Sequence, residues 1–282
     1  MSFRKGLLST SSSGLANRLR AHSSVFRVAR KLGRVPAIHW PLTNQLNAGF
    51  FDLFEPGWPI VSQTQLEEWV FRTELTTKTY NCSDSKGILE NDPEDVLVVK
   101  SWDFFGIGSP THHDLEEDID ELRKLKPLDW ISSKIADVKS KLKSPYVGLH
   151  IRTCDIIGVH YGERSVPERI HYRFSDGPGS FISEVRQAVE RGFLVFVSSD
   201  DVDCEIAVEK AFPGKVVRQE KSEEWRKTAT GMSEAVTDLY LLAGAKAILG
   251  SRSSQFSSLA SELGGIPLFV AGDGKFRLKL IN

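Results

Sequence analysis

The sequence predicts an α/β protein with a Rossmann-like, parallel-sheet C-terminal half and a second α/β unit before it. Three observations carry this. After Pro145, runs of Val, Ile, Leu and Phe alternate with amphipathic helices, the pattern of parallel strands covered on both faces. The chain opens with strand, small-residue turn, helix and strand, the order of a βαβ unit. Its 282 residues, 40% hydrophobic and 26% charged, suit a globular protein with room for two cores. The division is expected near residue 140, giving lobes 1–140 and 141–282.

Element by element, FRKGLLS (3–9) reads as a strand and TSSSG as a turn. From Leu15 to Leu32 the residues Leu15, Leu19, His22, Phe26, Ala29 and Leu32 recur at three- and four-residue spacing, which predicts a helix closed by Gly33. VPAIHW is the next strand. Residues 40–95 hold prolines, scattered aromatics and polar turns, and support no assignment. DVLVVKSW (95–102) is a strand, FFGIGSP a loop, and 114–143 charged helices that link the lobes. The run DLEEDIDELRK is expected to be a solvated helix face. Then come strand YVGLHI, helix PGSFISEVRQAVERG, strand FLVFVSS, helix CEIAVEKAF and strand KVVRQ. Helix SEAVTDLYLLAGA, strand KAILGS, helix SQFSSLASELGG and strand PLFVA complete the series.

Composition narrows the function. A net charge of −1 gives no overall pull toward nucleic acid or anionic membrane. Cys82, Cys154 and Cys204 are isolated, which argues against a disulfide framework or a cysteine metal site and for a reducing, cytoplasmic setting. No apolar run reaches the roughly 18–20 residues of a membrane span. Residues 1–51 contain no Asp or Glu but do contain Arg4, Lys5, Arg18, Arg20, Arg27, Arg30, Lys31 and Arg34. Such a segment suits a transit peptide or a polyanion-binding arm, yet here it is patterned as part of a domain.

Ligands of doubly wound sheets bind beyond the carboxyl ends of the strands. There the sequence places His150, Arg152, Cys154 and Asp155, then Asp200 and Asp201, then Arg252, Ser253 and Ser254, with SSSGLANR in the first lobe. An Arg fork pairs with phosphate, and serines at a helix start expose N–H groups to an anion. The aspartates suit ribose hydroxyls or a base edge, and Phe256 suits base packing. No GxxxxGK[ST] occurs and no GxGxxG follows a strand, which disfavours P-loop and NAD enzymes. Each residue also has a plainer reading: His150 as a satisfied core histidine, Asp201, Ser253 and Ser254 as helix caps, Cys154 as filler. Arg152 is hardest to explain without an anion.

HIRTCD resembles the His-x-Arg-x-x-Asp element of α-1,6-fucosyltransferases and nodulation fucosyltransferases, a group that includes the protein O-fucosyltransferases. FVSSDD, the stretch DLYLLAGAKAILGSRSSQFS and SGLANRLRAH are similar to further elements of that group, in the same order. The resemblance covers about the first 35 residues and nearly all of 145–270. It implies a GT-B-like fold, two Rossmann-type lobes with parallel sheets facing a cleft, with an N-terminal acceptor-side lobe and a C-terminal nucleotide-sugar lobe. It further implies an inverting, metal-independent glycosyltransferase carrying a sugar, L-fucose, from a GDP-sugar to a glycan or glycoconjugate. No cofactor, metal or nucleic-acid partner is expected. By position, Arg152 and Asp238 are the catalytic candidates. Gly14, Asn17, His150, Arg152, Asp200, Asp201, Ser253, Ser254 and Phe256 are the donor-binding candidates. Cys154 departs from the Gly or Thr of many relatives. The absence of an anchor, stem or disulfides points to a bacterial-type, viral or otherwise cytosolic enzyme. The alternatives are a silent nucleotide- or glycan-binding module and a transferase using another nucleotide-sugar. The acceptor's general base is left open among Asp103, Asp114, His160 and Glu163.

Overall fold

The structure, a computed structural model, describes residues 5–71, 74–81, 88, 90–142, 145–152, 178–222, 228–252 and 254–270. The chain divides into two compact units, Met1–Leu128 with Arg226–Ser233 and Asp129–Trp225 with Glu234–Asn282.

The N-terminal unit runs β1 (Gly6–Thr10), α1 (Leu15–Leu32), β2 (Val35–His39), a 3-10 turn at Phe50–Asp52, β3 (Ile60–Val61), α2 (Gln63–Phe71), β4 (Thr77–Asn81), β5 (Val96–Lys100) and α3 (His112–Arg123). Its five strands are all parallel, in the order β3-β2-β1-β5-β4. Helix α1 has the expected bounds. Gly33 ends it in the left-handed region at φ 63, and the Arg34 N–H reaches back 2.8 Å to the Ala29 carbonyl. A side chain at that φ is strained, which is why glycine stands there.

The charge pattern corrects one expectation, the solvated helix face, and agrees with another, the basic segment as part of a domain. Asp118, in the run expected to be solvated, is buried and accepts from Arg27 Nε and Nη2, both at 2.8 Å. Ser24 Oγ adds a third bond at 2.6 Å, so α3 is tied to α1 by charge. The basic N-terminal segment is likewise no free arm. Arg18, Arg20, Arg27 and Arg34 are buried, and Arg34 donates to the carbonyls of Gly6, Asp92, Glu94 and Asp95. Acids and carbonyls from later in the chain satisfy the acid-poor segment.

The C-terminal unit runs α4 (Asp129–Leu142), β6 (Tyr146–Ile151), α5 (Pro178–Glu190), β7 (Leu194–Ser199), α6 (Val202–Ala211), β8 (Val216–Val217), α7 (Ala229–Ala243), β9 (Ile248–Gly250), α8 (Gln255–Gly264) and β10 (Leu268–Val270). The strands are parallel in the order β10-β9-β6-β7-β8. The chain therefore winds from β6 outward to β8, crosses back, and winds the other way through β9 to β10. That is the doubly wound order, with its reversal between β6 and β9.

Alternation along β6 assigns its faces. Val147, Leu149 and Ile151 join a core with Phe181, Val185, Val208 and Phe212 of the α5 and α6 side. Tyr146, Gly148 and His150 face the other way. The Tyr146 hydroxyl donates 2.6 Å to the Leu241 carbonyl of α7. A Cβ on Gly148 would lie 2.9 Å from Leu242, so that strand position has no room for a side chain.

Candidate functional site

The reversal between β6 and β9 places two strand ends side by side. His150 is in register with Ser198 of β7 and Gly250 of β9. At the carboxyl end, the Arg152 N–H donates 2.9 Å to Ser251 Oγ, and the Ser251 N–H donates 3.1 Å to the His150 carbonyl. Ser254 caps α8, its hydroxyl accepting from the Ser257 N–H. The buried His150 ring fixes that first helical turn. Its Nδ1 lies 2.8 Å from Ser257 Oγ and 3.4 Å from Ser254 Oγ, and its ring centroid lies 5.1 Å from that of Phe256. Gly250 permits the close approach, since a Cβ there would lie 2.8 Å from Ser257 Oγ. A half-buried arginine thus stands beside the N-terminus of a helix, two features that favour an anion.

Beside this rim, the end of β7 rests on buried charges. Asp238 of α7 accepts 2.7 Å from Ser198 Oγ and also from Gln219 Nε2, and its Oδ2 lies 2.8 Å from Lys221 Nζ. Lys221 also donates to Glu205 of α6 and, at 2.8 Å, to the Ser199 carbonyl. Asp201 caps α6, accepting 2.9 Å from the Asp203 N–H, and Cys204 Sγ lies 3.6 Å from it. Burial pushes the Glu205 carboxyl up to about 7, against the attraction of Lys221 and with the repulsion of Asp238. The folded state therefore binds a proton that the unfolded state releases near its ordinary value. The associated stability is full below that ordinary value and is lost as pH rises to about 7. Glu205→Gln is accordingly expected to leave the thermal midpoint almost unchanged at pH 5 and to raise it at pH 8.

The N-terminal unit has a rim of its own. Thr10, His39 and Lys100 end β1, β2 and β5 in register. Arg18 of α1 binds the loops that follow. It donates 2.6 Å to the Ser13 carbonyl, 2.5 Å to the Pro41 carbonyl and 2.8 Å to Thr43 Oγ1, with its guanidinium 5.3 Å from the Trp40 ring. Burial lowers its pKa to about 10. His22 lies beneath, held neutral first by burial and then by the Arg18 charge, with a pKa of about 3. Gly14 precedes the helix as its extended N-cap, and nothing lies within 4 Å of the Cβ it lacks. Asn17 is half-buried in the first turn. Trp102, 50% exposed, stands next to Asp103, which accepts 3.0 Å from Arg20.

The predicted residues therefore fall into groups. His150, Arg152, Ser254 and Phe256 gather at the β6–β9 reversal, and Asp200 and Asp201 stand at the end of the adjacent β7. Asp238 is buried and touches Ser198, Gln219 and Lys221 rather than lying open at the rim. Gly14 and Asn17 belong to the rim of the N-terminal unit. Ser253, Cys154, Asp155, His160 and Glu163 lie outside the described residues. Of the base candidates, Asp114 is the N3 member of the α3 capping box, and Lys31 and Thr111 hold it well below the usual carboxylate range. Asp103 has a side chain 42% exposed. Lys221 and Glu205 were not anticipated, and Arg18 was placed at the rim within SSSGLANR without a role. A lysine two residues past KVVRQ reads as surface, and the only sequence signal was its place just beyond a strand end.

No protein-family model matches the chain, and no curated protein matches it in sequence. Solved structures do match in fold. The NodZ α-1,6-fucosyltransferase soaked with GDP-fucose is 16% identical with a TM-score of 0.65, over 92% of each chain. The Bradyrhizobium origin accompanies a NodZ structure at 17% identity and a TM-score of 0.64, over 91% of this chain and 92% of that one. POFUT1 in complex with GDP is 14% identical with a TM-score of 0.60, over 95% of this chain and 99% of the other. A mutant of Arabidopsis thaliana FUT1 in complex with GDP is 13% identical with a TM-score of 0.56, over 95% of this chain and 70% of that one. The shared feature is the fold: the α/β, GT-B-like architecture with parallel sheets that these fucosyltransferases have.

Proposed function

We propose that this chain is a glycosyltransferase that carries a sugar from a GDP-sugar, with L-fucose as that sugar, to a glycan or glycoconjugate. One observation supports this above others. Arg152 and the Ser254-capped start of α8 adjoin at the strand-order reversal of a fold shared with fucosyltransferases solved with GDP.

In the proposed reaction an acceptor hydroxyl attacks the anomeric carbon opposite the leaving GDP, inverting that centre. The bond from the anomeric carbon to the β-phosphate oxygen breaks, and its electron pair leaves with GDP. The Arg152 guanidinium holds the β-phosphate and stabilises the charge that develops there. The N-terminus of α8 adds its free N–H groups and dipole. Asp200 and Asp201, at the end of the adjacent β7, take sugar or ribose hydroxyls, and Phe256 packs near the base. The acceptor proton passes to a base. Because an arginine supplies the positive charge, turnover in EDTA is expected to equal turnover without it.

Calorimetry with GDP is expected to give a Kd of about micromolar order, and GDP-fucose is expected to be hydrolysed slowly without acceptor. No binding of GDP at millimolar concentration would sink the reading. Binding of GDP without hydrolysis or transfer to any glycan would leave a binding module. Preferential binding of UDP or dTDP would move the assignment to another nucleotide-sugar.

A further inference from the structure

Phosphate recognition leaves the buried charges under β7 without a task. Among the described residues β7 pairs with β8 only at Val195 and Phe196, and none of them pairs as a strand with its carboxyl end on that side. What binds there instead is Lys221 and Glu205. The Ser199 carbonyl accepts 2.8 Å from Lys221 Nζ, and the Ser199 N–H donates 2.7 Å to Glu205 Oε1. The preceding Ser198 hydroxyl donates 2.7 Å to Asp238, itself 2.8 Å from Lys221. The following turn hangs from the same point, since the Asp201 N–H donates 3.1 Å to Ser199 Oγ.

We propose that Lys221 is a positioning residue of the donor site: with Glu205 and Asp238 it stands in for strand pairing at the end of β7, and so fixes Asp200 and Asp201 where they meet the nucleotide-sugar. This rests on the donor reading above. A buried ammonium between two buried carboxylates gains little stability over an apolar cluster of the same size. What it supplies is direction, because each donor of the ammonium is spent on a named acceptor on β7, α6 or α7. Glu205 Oε2 has no partner among the described residues, so Glu205 is bonded through one oxygen, Oε1. The charged groups around the cluster are otherwise engaged: Glu234 of α7 accepts from Ser222, Glu209 of α6 pairs with Arg218, and Glu184 of α5 accepts from Ser183.

Three variants test this by GDP calorimetry and by donor kinetics. Glu205→Gln and Glu205→Ala both remove the charge, but only glutamine keeps an acceptor for the Ser199 N–H. Both leave Lys221 paired with Asp238. The alanine variant is expected to weaken GDP about tenfold and raise donor KM alike with kcat little changed, while glutamine stays within about threefold of native. The double variant Lys221→Met with Glu205→Gln, which removes one charge of each sign, is expected to fold and to weaken GDP at least as much as Glu205→Ala. Equal, native-like GDP affinity in Glu205→Ala and Glu205→Gln would overturn the proposal even if the double variant failed to fold. A native chain that binds no GDP would instead overturn the donor reading itself.

Discussion

Arg152→Ala is expected to lower kcat/KM for donor hydrolysis and transfer by about a thousandfold, the upper range for deleting one preorganised group that meets developing charge. The expectation follows from placement. The Arg152 backbone is fixed through its N–H to Ser251 Oγ, a bond that the substitution keeps. The strand end thus retains its course while the guanidinium is lost. Arg152→Lys keeps the charge but not the planar fork, and is expected to recover only a part of the activity. Near-UV circular dichroism would confirm the native packing of both variants. Native turnover by Arg152→Ala would remove this residue from the site.

Asp238→Ala is expected to be the most damaging change to stability, about 3–5 kcal/mol, because it strands part of a buried ion cluster. Lys221 would lose one of its two carboxylates, and Ser198 and Gln219 would lose an acceptor. The urea midpoint should fall with little change in slope. Asp238→Asn keeps an oxygen for Ser198 and should cost about 1–2 kcal/mol. The resemblance makes Asp238 catalytic, whereas the geometry gives it no open position at the rim. If Asp238→Ala kept its urea midpoint yet lost transfer, a direct chemical role would be restored.

The regular half of the chain was legible because its strands are continuous apolar runs and its helices are amphipathic. β6 has the expected bounds, as does α1 with its C-terminal glycine. Residues 40–95 were illegible for a physical reason. β3 is two residues long, and β4, TKTYN, is polar enough to resemble a loop. One signal was present there. Ser62 and Gln65 form a reciprocal cap at the start of α2, the spacing of a capping box. The candidate site was legible at Arg152, His150 and Ser254 because motif and strand end coincide. His150 also obeys its plainer reading, since its ring is bonded to Ser257 and packed on Phe256. The burial of Lys221 and of Arg18 was invisible because nothing local predicts that a long cation is enclosed. Their acceptors come from elements that only the tertiary fold assembles.

The strand lengths have a consequence for behaviour in a crowded solution. The outer strands β3 and β8 have two residues each. Each therefore offers a stranger's backbone too few free groups to start a new ladder. β4 is the long outer strand, and it carries Lys78, whose ammonium pairs with Asp92 at 2.7 Å. Short margins and a charged one are how natural sheets avoid templating their neighbours. On these three margins the sheets thus offer a neighbouring molecule little to pair with.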